Sequence, residues 1–423
     1  MMRSPYPLEQ DLGICYYASD APGIGGRLRS SPEDFIVEEV PLPISDPDGP
    51  YLICRLTKTN WELQRAVKEI AKRLGISHRR IAWAGTKDKN AVTTQFISIY
   101  DLTPDAVEQV HLADITLEVV GQSQHALTLG GLAGNRFDIT IRDCAGEDLA
   151  ARVEAATAVA SLGIPNYYGL QRFGVVRPVT HLVGERVLKG DYEGAVVAYV
   201  GRPYPRESEA AQQARTHFTE TRDPRAALAE LPVQMTYERA MANHLVANPG
   251  DYAGALQVLP PKLLSLLVSA FQSYLFNCTL SSRIEAGHSL TEPEIGDRLV
   301  FSNGREDIVS ARNRQAALMQ IRRGRCRIAL FVPGAEPVTP HGPMDETMQD
   351  LMQKHGVSAG DFERASRFVK TAFAGALRPI SLFADVQADV SETSVRLRFT
   401  LPPGHYATTV CREYMKADPY MMI

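Results

Sequence analysis

Two stretches far apart in the chain share a strict period of two. Phe137, Ile139 and Ile141 alternate with Arg136, Asp138, Thr140 and Arg142; near the other end Val395, Leu397, Phe399 and Leu401 alternate with Arg396, Arg398 and Thr400. Such alternation marks a strand with one face in a core and the other in water, and the first strand is expected to begin at Phe137. Between the two the texture changes. Helical patterns dominate, with a polar segment at residues 206–225 and a Pro/Gly-rich loop at residues 332–343. These patterns imply one sheet domain built from both ends of the chain, residues 1–164 and 379–423, with residues 165–378 inserted between. A length of 423 residues suits two or three domains.

The early part of the chain carries the densest local signals. Two strands separated by a loop at residues 41–50 are followed by a helix with an apolar stripe of Leu63, Val67, Ile70, Ala71 and Leu74. Asn60 is its expected N-cap and Gly75 its stop. The other face of the helix carries Arg65, Lys68, Lys72 and Arg73. The chain then runs through Ile81, Ala82 and Trp83 into a charged loop, Gly85-Thr86-Lys87-Asp88-Lys89-Asn90, and out into an extended Thr-rich run. That is strand, loop, strand, with the basic helix and the loop as expected neighbours. In the loop, one carboxylate lies between two ammonium groups, which favour its ionised form. An ionised Asp suits a nucleophile or a partner for a cationic transition state, and makes a poor general acid. The plain alternative is a solvated turn in which Asp88 closes a local hydrogen bond. A helix over residues 148–162 should follow the alternating strand, ended by Gly163 and Pro165.

Net charge is −4, but two segments stand apart. Residues 58–89 carry a net +6, and residues 312–327 hold six Arg and no acid. Concentrated basic segments in an otherwise acidic chain suggest a footprint for a polyanion; for the first, a solvated helix face explains part of the charge. The six cysteines are scattered and no His-x-x-x-His pair occurs, which argues against a disulfide framework or a zinc site. No phosphate-cradling or dinucleotide glycine motif is present, so no cofactor is expected. The start lacks the apolar core of a signal peptide. The apolar stretch at residues 263–276 is broken by Ser265, Ser269, Gln272 and Ser273 and reads as a buried helix, not a membrane span. The expected location is the cytoplasm.

The stretch Ala84-Gly85-Thr86-Lys87-Asp88-Lys89-Asn90-Ala91-Val92-Thr93-Thr94-Gln95 resembles the signature of the tRNA pseudouridine synthase D (TruD) family. Four more segments match in the same order. They are Pro32-Glu33-Asp34-Phe35-Ile36-Val37-Glu38-Glu39, Gly134-Asn135-Arg136-Phe137, Pro165-Asn166-Tyr167-Tyr168-Gly169-Leu170-Gln171-Arg172-Phe173-Gly174 and Leu401-Pro402-Pro403-Gly404-His405-Tyr406-Ala407-Thr408. The resemblance covers most of the chain and is thinnest over residues 176–376.

The resemblance implies an α+β fold: a mixed, largely antiparallel sheet of the pseudouridine synthase type, flanked by helices and interrupted by a large inserted α/β domain. It implies that Asp88 is the catalytic nucleophile and that the substrate is tRNA, specifically uridine 13 of the D-arm; the residues themselves make Asp88 the candidate equally for attack at C1′ and for removal of the C2′ proton. It places Phe137 against the substrate base, where a core aromatic is the plain reading. It places Asn135 near the carboxylate or base, where a turn residue after Gly134 is the plain reading. Arg29 stands where the family often has Lys, and Lys87 adjoins the carboxylate. The family uses Phe where other pseudouridine synthases use Tyr. Among other carboxylates, Asp138 and Asp143 look like surface or turn residues. Interleaved aromatics and Arg172 in the 166–174 loop suit an unstacked nucleotide, or simple packing. Arg172, Arg322, Arg323, Arg325, Lys72 and Arg73 are the expected RNA-backbone contacts. The competing readings are a non-catalytic RNA-binding protein on the same fold, or a synthase for other RNAs.

Overall fold

The computed structural model describes residues 1–43 and 48–422. They divide into two compact units, one of Ser19–Ile164 with Phe383–Ile423, the other of Met1–Ala18 with Pro165–Leu382. The expected loop at residues 41–50 falls partly outside the described residues.

The first unit is built on a nine-stranded sheet. Its strands are β1 (Gly25–Arg27), β2 (Phe35–Pro41), β3 (Tyr51–Thr59), β4 (Ile81–Trp83), β5 (Val92–Tyr100), β6 (Ile115–Ser123), β7 (Leu132–Cys144), β8 (Gln387–Val390) and β9 (Val395–Leu401). The main path runs β8-β9-β7-β2-β5-β3-β6, with β1 on β7 and β4 on β5. Only β2 and β5 pair in parallel, so the sheet is mixed and largely antiparallel. The two alternating stretches are direct neighbours, with Phe137 opposite Phe399 and Ile139 opposite Leu397. Strand β7 starts five residues earlier than Phe137. Gly134 hides that start: a Cβ there would lie 2.7 Å from the Leu401 carbonyl oxygen, so glycine is what lets the two backbones approach.

Three helices cover one face. Helix α1 (Leu63–Arg73) buries Leu63, Val67, Ile70 and Ala71 against Leu52, Cys54, Leu56, Ile97 and Ile99. Its cap is Glu62, whose carboxylate accepts from the Gln64 and Arg65 amides, and not Asn60. Asn60 instead turns the chain out of β3 in the left-handed region, at φ 58. Gly75, at φ 64, ends the helix, with the Ile76 amide donating back to the Ala71 carbonyl. Helices α2 (Leu149–Leu162) and α3 (Ala407–Met415) pack together near the other edge, joined by a 2.8 Å bond between Thr157 Oγ1 and Tyr414 Oη.

The second unit centres on the helix Pro261–Glu285, with Phe271, Leu275, Phe276 and Leu280 fully buried. By length and composition this helix is apolar enough to cross a membrane, but it is the core helix of its unit. A four-stranded antiparallel sheet of Glu306–Ile308, Arg298–Phe301, Cys326–Val332 and Ala376–Pro379 lies in the same unit. The Pro/Gly-rich loop connects Val332 to the helix Pro343–Lys354. The first 18 residues belong here and not, as expected, with the sheet. Leu12 and Ile14 are buried beside Phe276 and Leu280, and Ser281 Oγ and Asn277 Nδ2 donate to the Gly13 and Leu12 carbonyls.

Candidate active site

The charged loop joins β4 to β5 and is tied down by partners distant in sequence. Gly130 N–H donates to the Ala84 carbonyl at 2.8 Å, and Asn60 N–H to Ala91 at 3.2 Å. Gln95 Nε2 donates to the Gly85 carbonyl at 3.1 Å, and Lys58 Nζ to that of Asp88 at 2.9 Å. These four bonds come from residues outside the loop, and one local bond adds to them, from the Ala91 N–H to the Lys89 carbonyl at 2.9 Å.

The Asp88 carboxylate does not close a local hydrogen bond. Its Oδ2 accepts from Arg29 Nη2 at 2.6 Å. The Arg29 side chain is 8% exposed and that of Asp88 42%. The guanidinium also lies 4.0 Å from the centre of the buried Phe35 ring. A delocalised cation tolerates such an apolar seat better than an ammonium.

Neither flanking lysine pairs with Asp88. Lys89 is exposed. Lys87 turns inward, and its ammonium lies 2.7 Å from Glu39 Oε2 with both side chains buried. The other Glu39 oxygen accepts from the Phe96 amide at 3.4 Å.

Residues opposite one another in a sheet share a face, and the register builds the floor of the site. One row runs Lys58, Thr93, Val37, Phe137, Phe399. The next contains Glu39, Asn135 and Leu401, with Gln95 two residues on from Thr93. Asn135 is therefore a strand residue and not a turn residue. Phe137 is 7% exposed and stacks on Phe399 with ring centres 5.4 Å apart. Three oxygens on this face, Asn135 Oδ1, Gln95 Oε1 and Thr93 Oγ1, are buried without a hydrogen-bond partner. Buried polar atoms are rarely left so, and these can accept from a bound polar group.

Lys58 is fully buried. Burial pushes its ammonium down to about 8, against the opposing pull of Asp88 and Glu62. The remaining carboxylates stand elsewhere: Asp138 pairs with Arg396 and Asp143 with Arg27, all at least partly exposed.

A family model described as tRNA pseudouridine synthase D (TruD) matches residues 11–414. The chain belongs to that family. Among similar TruD proteins, the probable tRNA pseudouridine synthase D of Methanosarcina acetivorans is 39% identical, with 98% of each chain covered. That of Halobacterium salinarum is 38% identical, with 99% of each covered. A crystal structure of the Methanosarcina mazei TruD protein superposes with a TM-score of 0.83 at 37% identity, over 99% of this chain and 100% of the other. The α+β fold expected of a TruD protein is thus the fold found.

The expected site residues separate into groups. Asp88 and Arg29 meet, and Asn135 and Phe137 share the sheet face beside Lys58. Lys87 is committed to Glu39. Lys72 and Arg73 are exposed at the far end of α1; at ~1.5 Å per residue they lie roughly 14 Å along the axis from its start. Arg172 belongs to the other unit, where its Nε donates to Ser273 Oγ at 3.0 Å and its guanidinium lies 5.8 Å from the Tyr168 ring centre. Arg322, Arg323 and Arg325 are exposed in that unit, at the turn before Cys326–Val332. The sequence patterns singled out neither Lys58 nor Glu39. A signal for Lys58 was present, because Cys54 and Leu56 set an inward period of two that reaches residue 58.

Proposed function

We propose that this chain converts uridine to pseudouridine at position 13 in the D-arm of tRNA, with Asp88 as the nucleophile. As a TruD-family enzyme it is a tRNA pseudouridine synthase, an isomerase. The Asp88 carboxylate bonds to C1′ as the N1–C1′ bond breaks, the uracil turns, C5 bonds to C1′ as the Asp88–C1′ bond breaks, and the C5 proton leaves while N1 takes one up. Atoms are conserved, so the reaction consumes no redox equivalent.

The observation that carries the reading is the asymmetry of the Arg29–Asp88 pair: a buried guanidinium backs a carboxylate that is 42% exposed. The cation keeps the anion charged as substrate displaces water. Phe137 supplies an aromatic wall for the base, and Asn135 Oδ1 accepts a hydrogen bond from it. Lys87 supports the loop from behind through Glu39 and does not touch substrate. Extruding the uridine costs roughly a few kcal/mol, and phosphate contacts from Arg172, Arg322, Arg323, Arg325, Lys72 and Arg73 offset it. A tRNA substrate places the enzyme in the cytoplasm.

A purely RNA-binding role fits the site less well. An exposed carboxylate presented to a polyanion opposes binding, and binding alone gives no reason to keep it. The deciding experiment incubates the protein with unmodified tRNA transcript and maps pseudouridine. One modified uridine at position 13 is expected; an unmodified transcript, or modification elsewhere only, overturns the proposal.

A further inference from the structure

Lys58 is the last residue but one of β3, with its side chain in the floor of the site, and no ordinary packing role explains it. Thr93 and Ile115 flank it in register on the neighbouring strands, and neither titrates. The charged groups that face it are Asp88 and Lys87 from the loop and Glu62 from the start of α1. Its ammonium donates to the main-chain carbonyl of Asp88 at 2.9 Å. A loop carbonyl can be satisfied by water or by an amide at little cost, whereas a buried ammonium must give up its hydration. The fold therefore keeps a costly group for a bond that a simpler donor could make. The bond differs from others in where it falls: Arg29 grips the carboxylate end of Asp88 and Lys58 the backbone end.

We propose that Lys58 is a positioning residue that fixes the direction of the Asp88 carboxylate by holding its main-chain carbonyl, and that its positive charge balances the Asp88 anion once substrate has closed the site. This inference rests on the reading of Asp88 as the acting carboxylate. Two consequences separate it from a structural role. The first concerns turnover: it falls as pH rises through about 8, where the folded-state ammonium loses its proton. The second concerns stability. The unfolded-state value is the ordinary 10.5, so between about 8 and 10.5 the unfolded chain binds the extra proton. Stability from this group therefore rises with pH across that window, and the buried charge is a penalty below it. Activity and stability move in opposite directions.

The test compares Lys58→Met, Lys58→Gln and Lys58→Arg with wild type on unmodified tRNA transcript, measuring kcat, KM, the pH–rate profile and Tm. Lys58→Met should lose on the order of 10²-fold in kcat, the scale of a misplaced reacting group. Its KM should change little, its Tm should stay level or rise, and its alkaline limb should vanish. Lys58→Gln keeps an N–H donor and should recover part of kcat without a limb near pH 8. Lys58→Arg keeps donor and charge, so it should recover more and move the limb upward. Wild-type kcat in Lys58→Met overturns the proposal, as does a lower Tm with the alkaline limb retained. If Lys58→Met does not fold, a wild-type profile that stays flat to about pH 9.5 overturns it equally. Asp88→Asn serves as the control. Turnover by that variant sinks the reading of Asp88 itself, whereas an inactive Asp88→Asn beside a fully active Lys58→Met sinks only the inference about Lys58.

Discussion

Arg29 Nη2 lies 2.6 Å from Asp88 Oδ2, joining two residues 59 apart in sequence. The pair is unequal. Arg29 sits in the left-handed region at φ 56, is almost wholly buried and rests on Phe35, while Asp88 keeps an open edge. An exposed ion pair of this length would contribute little. Here the partner that gives up its water is a delocalised cation on an aromatic face, and the anion is what the site presents.

Asp88→Asn keeps the shape of the side chain and its main-chain bond from Lys58, but removes the anion. Binding of tRNA and Tm should stay close to wild type, and pseudouridine formation should fall below detection in a mapped transcript. Appreciable product from this variant would falsify the assignment of Asp88.

At position 29, charge and geometry can be separated. Arg29→Met leaves Asp88 without its cation and should lower kcat on the order of 10²-fold. Arg29→Lys retains a point charge but not the planar contact with Phe35, and its kcat should fall between that of Arg29→Met and wild type. Equal activity in both variants would show that the charge on residue 29 is irrelevant to turnover.

Phe137 is both a wall of the proposed pocket and a packed aromatic against Phe399. Phe137→Leu keeps most of the volume and should lower stability by less than about 1.5 kcal/mol. Base stacking of the kind removed is worth ~1–3 kcal/mol, so the fall in kcat/KM should exceed what the stability change accounts for. Undiminished activity with a lower Tm would make Phe137 a core residue alone.

How much of this was legible in sequence follows from the kind of signal each residue leaves. The two alternating strands were visible because a half-buried strand writes its faces directly into residue type, and only Gly134 blurred the start of β7. The α1 stripe was visible for the same reason, whereas its cap was not. Asn60 and Glu62 are both plausible caps, and the choice depends on a left-handed turn that residue type does not fix. At the site, the loop and its carboxylate stood out, but the pairing of charges did not. Sequence adjacency offered Lys87 and Lys89 beside Asp88 without showing where their side chains point, and only the family resemblance brought up Arg29. The fold commits Lys87 to Glu39 and draws on Arg29 and Lys58 from other strands and loops. Ion pairs between distant segments leave no period, so nothing local announced them.

The Lys87–Glu39 pair carries its own prediction. Both side chains are buried, so Glu39→Gln leaves a buried ammonium without its counter-ion, and breaking a buried pair in this way costs about 3–5 kcal/mol. Denaturant titration should show that loss, and Glu39→Gln with Lys87→Gln should regain part of it because no charge is stranded. A single variant as stable as wild type would mean that water already reaches the pair.

The basic segment at residues 312–327 divides once its surroundings are known. Arg314 Nε donates to the Pro293 carbonyl, and burial lowers Arg327 from its ordinary range, so these two serve the fold. Arg322 approaches Glu292 at 3.8 Å, but both side chains are more than half exposed and such an ion pair contributes almost nothing. Among the described residues Arg323 and Arg325 make no ion pair. The turn that bears them lies against the one after Arg298–Phe301, where Ser302 N–H donates to the Arg325 carbonyl, so the guanidinium groups are held on an ordered support. Close, unpaired cations on a fixed turn repel one another until an anion arrives, which is the electrostatic condition for binding a phosphate backbone. Changing Arg322, Arg323 and Arg325 together to Gln should weaken tRNA binding. The plot of log affinity against log salt should flatten by about 1 for each phosphate that the variant no longer neutralises. Rates at saturating tRNA should suffer far less than in Asp88→Asn. An unchanged affinity and slope in the triple variant would move the RNA footprint elsewhere, and the exposed Lys72 and Arg73 of α1 would be the next residues to change.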